Sequence, residues 1–349
     1  MDLSIAAILA QDGITNGAVY ALLAMALVLV FSVTRVIFIP QGEFVGFGAL
    51  TLAALQSEQF PRLVWLLVAM GVVTFLVEFC AALQNRRYKP MPVRLLMQSA
   101  AENLLYPLLA LAVASALPWH TLPMVLQIAL VLGITVPLGL MIYRVAYQPV
   151  AEASVLVLLI VSVAVHFAML SLGLLVFGPE GSRTLPFTEW SISVGSLLIS
   201  GQSALVIVVS LALIALLYLF FDRTLQGKAL RATAVNRNGA RLVGIGTSQA
   251  GRLVFGLSAG LGSLAGVLIG PMNTVQYDTG FVVALKGFVA AIVGGLASYP
   301  MAAIGALIVG LLESYSSFWA SDYKEVIVFT LILPVLAWRS LTSPHSDEE

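Results

Sequence analysis

Apolar residues in this chain form long continuous runs and do not alternate with polar ones. Runs of this kind predict membrane-spanning helices, each needing about 20 residues, and they argue against strands. Several runs are short, the last above all, so we expect about ten to twelve spans, including broken helices, in an all-α polytopic membrane protein. The candidate spans are 14–34, 36–57, 63–83, 100–118, 122–143, 153–177, 203–221, 252–272, 281–297, 301–319 and 323–338.

The longest stretch without a continuous apolar run is residues 222–252, called the basic loop below. It holds six cationic residues against one acid, Asp222. Apolar positions lie on both sides of the turn at Asn238-Gly239, and Gly244 can act as a stop, so we expect two short helices with an apolar face. A basic loop with an apolar stripe favours docking by another protein. The cationic residues are Arg223, Lys228, Arg231, Arg237, Arg241 and Arg252.

Loop charge predicts the orientation in the membrane, because short loops rich in Lys and Arg stay on the cytoplasmic side. With the basic loop inside, the N-terminus lies outside and the C-terminus inside. Arg62 is the one notable cation that this orientation places outside. The segment 178–202 becomes the largest external loop. It is either a face for a substrate-delivery protein or an ordinary surface loop. The other cations placed inside are Arg35, Arg86, Arg87, Lys89, Arg94, Arg144 and Arg339.

Composition supports the membrane class: the chain is 60% hydrophobic and 10% charged, with a mean hydropathy of +1.01. A soluble domain is about half apolar and about a quarter charged. A net charge of zero argues against nucleic acid as a partner. Cys80 is the single cysteine and the three histidines are scattered, so we expect no disulfide, metal site or cofactor. The N-terminal residues lack the basic region of a cleavable signal peptide.

The basic loop contains Gly-Lys-Ala-Leu-Arg-Ala at 227–232. With Asn236, Ala240 and Gly244-Ile245, this resembles the coupling loop of bacterial ABC-importer permeases, most closely the branched-chain amino-acid permease family. In that family the loop inserts into a cleft on an ATPase subunit; the leading Glu of the general importer motif is missing here. The resemblance implies ATPase-coupling roles for Ala229, Arg231, Asn236, Arg237, Ala240, Arg241 and Gly244.

The first span is followed by Gln41-Gly42-Glu43, where the resembling family usually has His-Gly-Glu. Pro40 and Gly42 interrupt a helix, and broken helices in membranes line cavities or lie buried in protein. Glu43 is therefore a gate residue or a structural acid bonded to its neighbours. His166, in the middle of a span, is either a proton relay or a neutral, hydrogen-bonded core residue.

Glycines recur four residues apart between Gly256 and Gly270, which indicates close helix packing inside one subunit or a dimer seam. The segment after them resembles the family's Lys-x-Phe, Gly-Gly-x-x-Ser and Gly-x-x-Glu elements, and Lys286 and Glu313 could neutralise each other. The breaks at 40–48 and 294–300 either line a translocation path or serve packing alone. The candidate pathway residues are Gln41, Gly42, Glu43, Gly46, Lys286, Gly294, Gly295, Ser298 and Glu313.

We expect one transmembrane permease domain over residues 1–349. Family members pass almost directly from the third span to a segment like 143–149, so residues 84–143 are predicted to hold an inserted helix pair. Residues 341–349 are predicted to be a disordered tail.

Three function classes fit these features. The first is the permease subunit of an ATP-driven ABC importer, half of a path for a small polar solute. The second is an ion-coupled secondary transporter using Glu43, Lys286 and Glu313. An intramembrane enzyme is disfavoured, because no hydrolase residue set is recognisable.

The basic loop favours the importer, since a secondary transporter has no ATPase to dock. The chain has no G-x-x-x-x-G-K-[ST] motif, so ATP hydrolysis is expected on a partner. The resemblance implies ATPase subunits, a second homologous permease and an external solute-binding protein, in a bacterial or archaeal inner membrane. It also implies a branched-chain amino acid as solute, with urea, amides or other small solutes as alternatives.

Overall fold

The long apolar runs satisfy their backbone hydrogen bonds internally by forming α-helices, as a bilayer requires. The computed structural model describes residues 3–84, 93–194, 197–296 and 298–342. The helices in these residues are α1 Leu3–Thr34, α2 Gln41–Gln56, α3 Leu63–Gln84, α4 Val93–Ala100, α5 Tyr106–Ala116, α6 Met124–Ile142, α7 Val155–Phe177, α8 Gly201–Arg223, α9 Leu225–Val235, α10 Arg237–Leu242, α11 Thr247–Ile269, α12 Thr279–Val293, α13 Tyr299–Trp319, α14 Lys324–Thr330 and α15 Ile332–Thr342.

Eight helical stretches in the described residues are long and apolar enough to cross a membrane, so the chain is a polytopic helical membrane protein. α2 and α12, with 16 and 15 residues, are shorter than a full span. The candidate span 323–338, the shortest of those expected, divides at Leu331 into α14 and α15. Pro334 explains the division, since it cannot donate a backbone bond to the turn before it. The eight stretches are Ser4–Thr34, Leu63–Leu83, Met97–Ala116, Met124–Val150, Val155–Phe177, Gly201–Arg223, Thr247–Ile269 and Tyr299–Trp319.

The chain forms two units, and the larger comprises Leu29–Pro186 and Leu219–Val282. Its centre is α11, which packs against α2 and α6. The glycines of α11 make these contacts: a Cβ on Gly256 would meet the Leu140 side chain at 2.7 Å, and one on Gly266 would collide with the Val45 carbonyl. The recurring glycines therefore serve packing inside one subunit, which was one of the two alternatives.

Aromatic rings hold the break between α1 and α2 in this larger unit. The Phe255 ring of α11 lies 4.6 Å from Phe38 in the break, 4.8 Å from Tyr147 and 4.9 Å from Tyr143, measured between centroids. Tyr143 and Tyr147 bound a π-helical turn that continues α6. The break is thus a packed feature, and α2 restarts at a fixed angle beside α11.

The smaller unit comprises Met1–Val28, Phe187–Tyr218 and Val283–Glu349. α1 lies on α13 through Gly13 and Gly17, whose positions leave no room for a Cβ beside Leu311 and Ala306. Two side chains of α13 add hydrogen bonds to α1. Ser314 Oγ donates to the Leu9 carbonyl at 2.6 Å, and the Tyr315 hydroxyl donates to the Ala6 carbonyl at 3.1 Å.

The predicted external loop contains an antiparallel strand pair, β1 Ser191–Val194 and β2 Leu197–Ser200, in the smaller unit. Ser191 pairs with Ser200 and Val194 pairs with Leu197. Trp190, Ile192 and Leu198 are exposed on this pair. Its role as a docking face stays a prediction.

The predicted insert region holds α4, a π-helical turn at Ala101–Leu105, α5 and α6. Two of the eight span-length stretches lie here, as the sequence predicted. Their status as an insertion relative to the family stays a prediction. Residues 85–92, with Arg86, Arg87 and Lys89, lie outside the described residues. So does the predicted tail from residue 343 onward, whereas Leu341 and Thr342 belong to α15.

Candidate coupling loop and buried polar sites

The basic loop folds into the two short helices that its sequence predicted, α9 and α10. Each begins with a side-chain cap. Thr224 Oγ1 accepts from the Gly227 N–H at 2.9 Å, and Asn236 Oδ1 accepts from the Gly239 N–H at 2.8 Å. Asn236 is extended, with φ −148°, so the chain turns sharply between the two helices. The corner thus lies at Asn236, and the predicted turn at Asn238-Gly239 is wrong, because both of those residues belong to α10.

An open cleft of about 450 Å³ lies between α9 and α10. Its rim carries two exposed cations, Lys228 and Arg231, above an apolar floor that includes the buried Ala240. The apolar side chains around it are strongly exposed: Val235 to 83% and Val243 to 76%. This combination suits a protein partner whose surface presents a protruding apolar side chain surrounded by acidic residues. The cleft is lined by Lys228, Arg231, Ala232, Val235, Asn236, Gly239, Ala240 and Val243.

Three of the predicted coupling residues line this cleft, namely Arg231, Asn236 and Ala240. Ala229 lies on α9 but does not line the cleft. Gly244 follows α10 with a φ of +86°, a left-handed conformation that favours glycine. A Cβ at Gly244 would meet no atom of the chain within 4 Å. The stop at Gly244 thus rests on backbone conformation.

Arg237 and Arg241, also predicted to contact an ATPase, are bonded to their own chain. Arg237 Nη1 donates to the Ala151 carbonyl at 2.9 Å, and Arg241 Nη2 lies 2.7 Å from Glu152 Oε1. Arg241 Nε also donates to Thr247 Oγ1 at 3.0 Å. The hydrogen bond and positive charge of Arg241 hold the pKa of the exposed Glu152 carboxyl below its ordinary value. These bonds tie α10 to the turn that precedes α7.

Glu43, after the break before α2, contacts His166 of α7. The sequence analysis gave no reason to pair these two residues. Glu43 Oε1 lies 2.6 Å from His166 Nδ1, and both side chains are buried. Gln41 is also buried; its Nε2 donates to the Ser258 carbonyl at 3.0 Å, and its Oε1 accepts from the Ser258 hydroxyl. Glu43 therefore has a side-chain partner on another helix. His166 is buried and hydrogen-bonded, as expected if it is a core residue and not a proton relay.

In the smaller unit, Lys286 and Glu313 form the ion pair that the sequence suggested. Lys286 Nζ lies 2.6 Å from Glu313 Oε1, and the Tyr20 hydroxyl donates to Glu313 Oε2 at 2.5 Å. Both oxygens of Glu313 are thus engaged. The closed bonding favours a structural role over contact with a solute.

The second predicted break ends α12 with a left-handed Gly295, φ +83°, followed by Leu296 at +57°. Gly294 packs against Ala302 at the start of α13, where a Cβ would lie 2.5 Å from the Ala302 Cα. Ser298 is the N-cap residue of α13 without a side-chain cap bond, and Ala297 lies outside the described residues. In the described residues the break is a close packing of the end of α12 against the start of α13.

An ionic network in the larger unit escaped the sequence analysis. Arg144 Nη1 lies 2.8 Å from Glu78 Oε1, while Arg252 Nη2 lies 2.6 Å and Arg144 Nη2 lies 3.6 Å from Glu102 Oε2. Ser99 donates to Glu78 as well. The network ties α3 and two π-helical turns to the start of α11. The only sequence signal was a set of charges inside or beside apolar runs, which gives no pairing.

Comparison with known proteins identifies the family. The family described as branched-chain amino acid transport system / permease component matches residues 93–336. The high-affinity branched-chain amino acid transport system permease protein LivH of Escherichia coli K12 is 28% identical over 340 residues, covering 93% of this chain and 91% of its own length.

Two further relatives match over shorter lengths. The permease protein BraD of Pseudomonas aeruginosa is 29% identical over 214 residues, 59% of this chain and 69% of its own. A probable LivH of Methanocaldococcus jannaschii is 33% identical over 137 residues, 37% and 43% of the two chains. No solved structure matches the chain. Since the family match covers well over half of the residues and agrees with the many apolar spans, the chain belongs to the permease-component family of branched-chain amino acid transport systems.

Proposed function

We propose that this chain is the membrane subunit of an ATP-driven importer and forms half of a path for a branched-chain amino acid. The observation that carries the proposal is the cleft of the basic loop, in which exposed cations surround exposed apolar residues. The solute follows from the names of the relatives, which are branched-chain amino acid permeases. Related solutes such as urea or amides remain outcomes of the transport assay.

The partners follow from the same assignment. ATPase subunits dock at the basic loop on the cytoplasmic side, which places the N-terminus outside and the C-terminus inside. A second homologous permease completes the path, and an external solute-binding protein delivers the amino acid. This chain hydrolyses no ATP itself, because its sequence holds no Walker A motif.

The path is lined, in this proposal, by backbone and small residues near the two helix breaks. Gln41, Gly42, Glu43 and Gly46 supply one stretch. Gly294, Gly295 and Ser298 supply another. Lys286 and Glu313 hold helices in place and do not line the path, because their charges neutralise each other in an ion pair.

The test reverses the charges of the cleft. Arg231→Glu and Lys228→Glu should abolish co-purification of the ATPase and uptake, while the permease still inserts into the membrane. The matched control is Arg223→Glu, the same change on an exposed loop residue outside the cleft, and it should retain both. Full ATPase binding by the two cleft variants would overturn the docking assignment.

A further inference from the structure

One carboxylate oxygen in the larger unit is buried without a partner. Glu43 is 1% exposed, and its Oε1 is bonded to His166. Its Oε2 accepts no hydrogen bond from any described residue. A buried carboxylate oxygen without a donor is costly, so Oε2 calls for a donor that the described residues do not supply.

Glu313 in the smaller unit shows what a purely structural carboxylate looks like in this chain. Both of its oxygens are engaged, by Lys286 and by Tyr20. Glu43 has a hydrogen-bond partner at only one of its two carboxylate oxygens, Oε1. His166 can donate its Nδ1–H to Oε1, which leaves Oε2 as the acceptor without a donor. The unmet acceptor favours a cationic donor.

An apolar pocket lies one helical turn from this pair. Phe47 on α2 follows Glu43 by four residues, and Met169 on α7 follows His166 by three, so both point to the same side of their helices. They line a pocket of about 160 Å³ together with Leu138, Ile142 and Leu172. A dry cavity of about 150 Å³ accommodates benzene, so this volume accepts a branched four-carbon side chain.

The cover of the pair combines a close backbone contact with one aromatic ring. Gly42 and Gly46 of α2 face the stretch 276–281; a Cβ on Gly42 would lie 2.6 Å from the Phe281 Cα, and one on Gly46 would lie 3.4 Å from the Tyr277 carbonyl. From the same stretch the Phe281 ring lies on His166, with centroids 4.5 Å apart. Separation of α2 from this stretch would uncover both Glu43 and His166.

We propose that Glu43 and His166 form a subsite for the α-ammonium group of the transported amino acid, with its branched side chain in the adjacent apolar pocket. This inference rests on the proposed function and names the residues that recognise the solute. Glu43 Oε2 accepts a hydrogen bond from the ammonium, and His166 positions the carboxylate. The described residues contain no group of three or more His, Cys, Asp or Glu able to hold a metal ion, so an organic cation fits the site better than a metal.

The first test uses the complete transporter in liposomes, with its ATPases, second permease and binding protein. Glu43→Gln keeps the size of the side chain and removes its charge. Leucine uptake should fall about tenfold to a hundredfold, the loss expected for one hydrogen bond to a charged group. Complex assembly and ATP hydrolysis stimulated by the binding protein should persist. The matched control is Asp322→Asn, an exposed carboxylate in the turn before α14 in the smaller unit, which should transport normally.

Leucine uptake by Glu43→Gln at the wild-type rate would overturn the subsite and leave the proposed function intact. Absence of leucine uptake by the wild-type complex would instead count against the proposed function. The two failures are therefore distinguishable in one assay.

A second test needs no variant and covers the case in which Glu43→Gln fails to assemble. Dicyclohexylcarbodiimide, which modifies carboxyl groups in apolar surroundings, is applied to the wild-type complex in nucleotide-free and trapped states. Modification of Glu43 is then measured by mass spectrometry. Leucine should slow it, while 4-methylpentanoate, which lacks the amine, should not. Modification that leucine leaves unchanged, or none in any nucleotide state, would overturn the subsite.

Discussion

Gly244 combines open space with a backbone that side chains rarely adopt. Its φ is +86°, and a Cβ there would touch nothing in the chain. Replacement by a β-branched residue therefore acts through conformation and costs about 1–3 kcal/mol at the end of α10. Asn enters the left-handed region more easily than other non-glycine residues.

We accordingly expect Gly244→Val to abolish ATPase co-purification and uptake, and Gly244→Asn to retain a substantial part of both. Gly244→Asp should fall between them, since Asp also tolerates this region but adds a negative charge to a basic surface. The measurement is the amount of ATPase bound per inserted permease. Equal binding by the Val and Asn variants would show that the backbone of this turn is irrelevant to docking.

The pair of Lys286 and Glu313 gives a stability prediction in the smaller unit. Removal of one member of a buried ion pair costs about 3–5 kcal/mol, because the other charge is left without compensation. Lys286→Met should therefore lower the thermal unfolding midpoint in detergent. The double variant Lys286→Met with Glu313→Met should recover most of the loss.

The control for this pair is Lys228→Met, the same substitution at an exposed position, which should leave the midpoint unchanged. If Lys286 and Glu313 instead contacted a solute or ion, the double variant would be stable yet inactive. Uptake by the stable double variant separates the two roles.

Sequence reasoning at the residue scale suggested that Lys286 and Glu313 could neutralise each other but left Glu43 and His166 apart. The first two stand in segments that resemble family elements. Glu43 and His166 are 123 residues apart, and their contact depends on how α2 and α7 cross. Charge type alone carries no information on that crossing.

Among the elements, α10 is bonded to the turn that precedes a span. Arg237 and Arg241 bind the turn at Ala151 and Glu152, directly before α7. α7 also carries His166. A movement imposed on α10 by a docked partner would therefore reach the start of α7 through two bonds.

We expect Arg241→Ala to lower uptake per ATP hydrolysed while ATPase binding persists, because Arg241 is bonded to its own chain and does not line the cleft. The charge swap Arg241→Glu with Glu152→Arg should restore part of the coupling ratio. Loss of ATPase binding in Arg241→Ala would place this side chain on the docking surface after all.

The same ion pair has a defined pH dependence. Since the pKa of Glu152 lies below its ordinary value in the folded protein, the pair is fully present above the ordinary pKa. It is lost as the pH falls through the lowered value. The coupling ratio of the wild type should thus stay constant near neutral pH and down to the acidic range, as proteoliposome uptake measured over pH can check.

The sequence predicted most elements and the two breaks, but not every interruption. The two short helices of the basic loop followed from its apolar positions and the stop at Gly244, although the turn between them lies at Asn236 and not at Asn238-Gly239. The division at Leu331 was missed because the apolar run continues through Pro334 and hydropathy does not register the lost hydrogen bond. The π-helical turns have no composition signal at all.

For the whole molecule, the family assignment and the helical membrane class are confirmed. The assignment of α11 glycines to internal packing came only from the structure, because glycines four residues apart serve inter-subunit and intra-subunit contacts equally. The larger unit uses those glycines to seat α2 and α6 on α11.

We expect this chain to need a different, homologous permease beside it. Reconstitution with the ATPases and the binding protein alone should give no uptake above the protein-free background, and addition of the second permease should restore it. The control is the complete complex at matched protein content. Full uptake from two copies of this chain would refute the heterodimer and leave the importer class standing.

The glycine contact between α2 and the stretch 276–281 has a mechanical consequence. At Gly42 and Gly280 the two backbones meet with no side chain between them, so only the Phe281 ring on His166 has to move when these surfaces part. The contact does not tolerate added bulk, because a methyl group at Gly42 would collide with the Phe281 backbone. A Gly42→Ala substitution would therefore hold α2 away from the stretch 276–281, so that the two surfaces could no longer close. All polar groups of the chain would be retained.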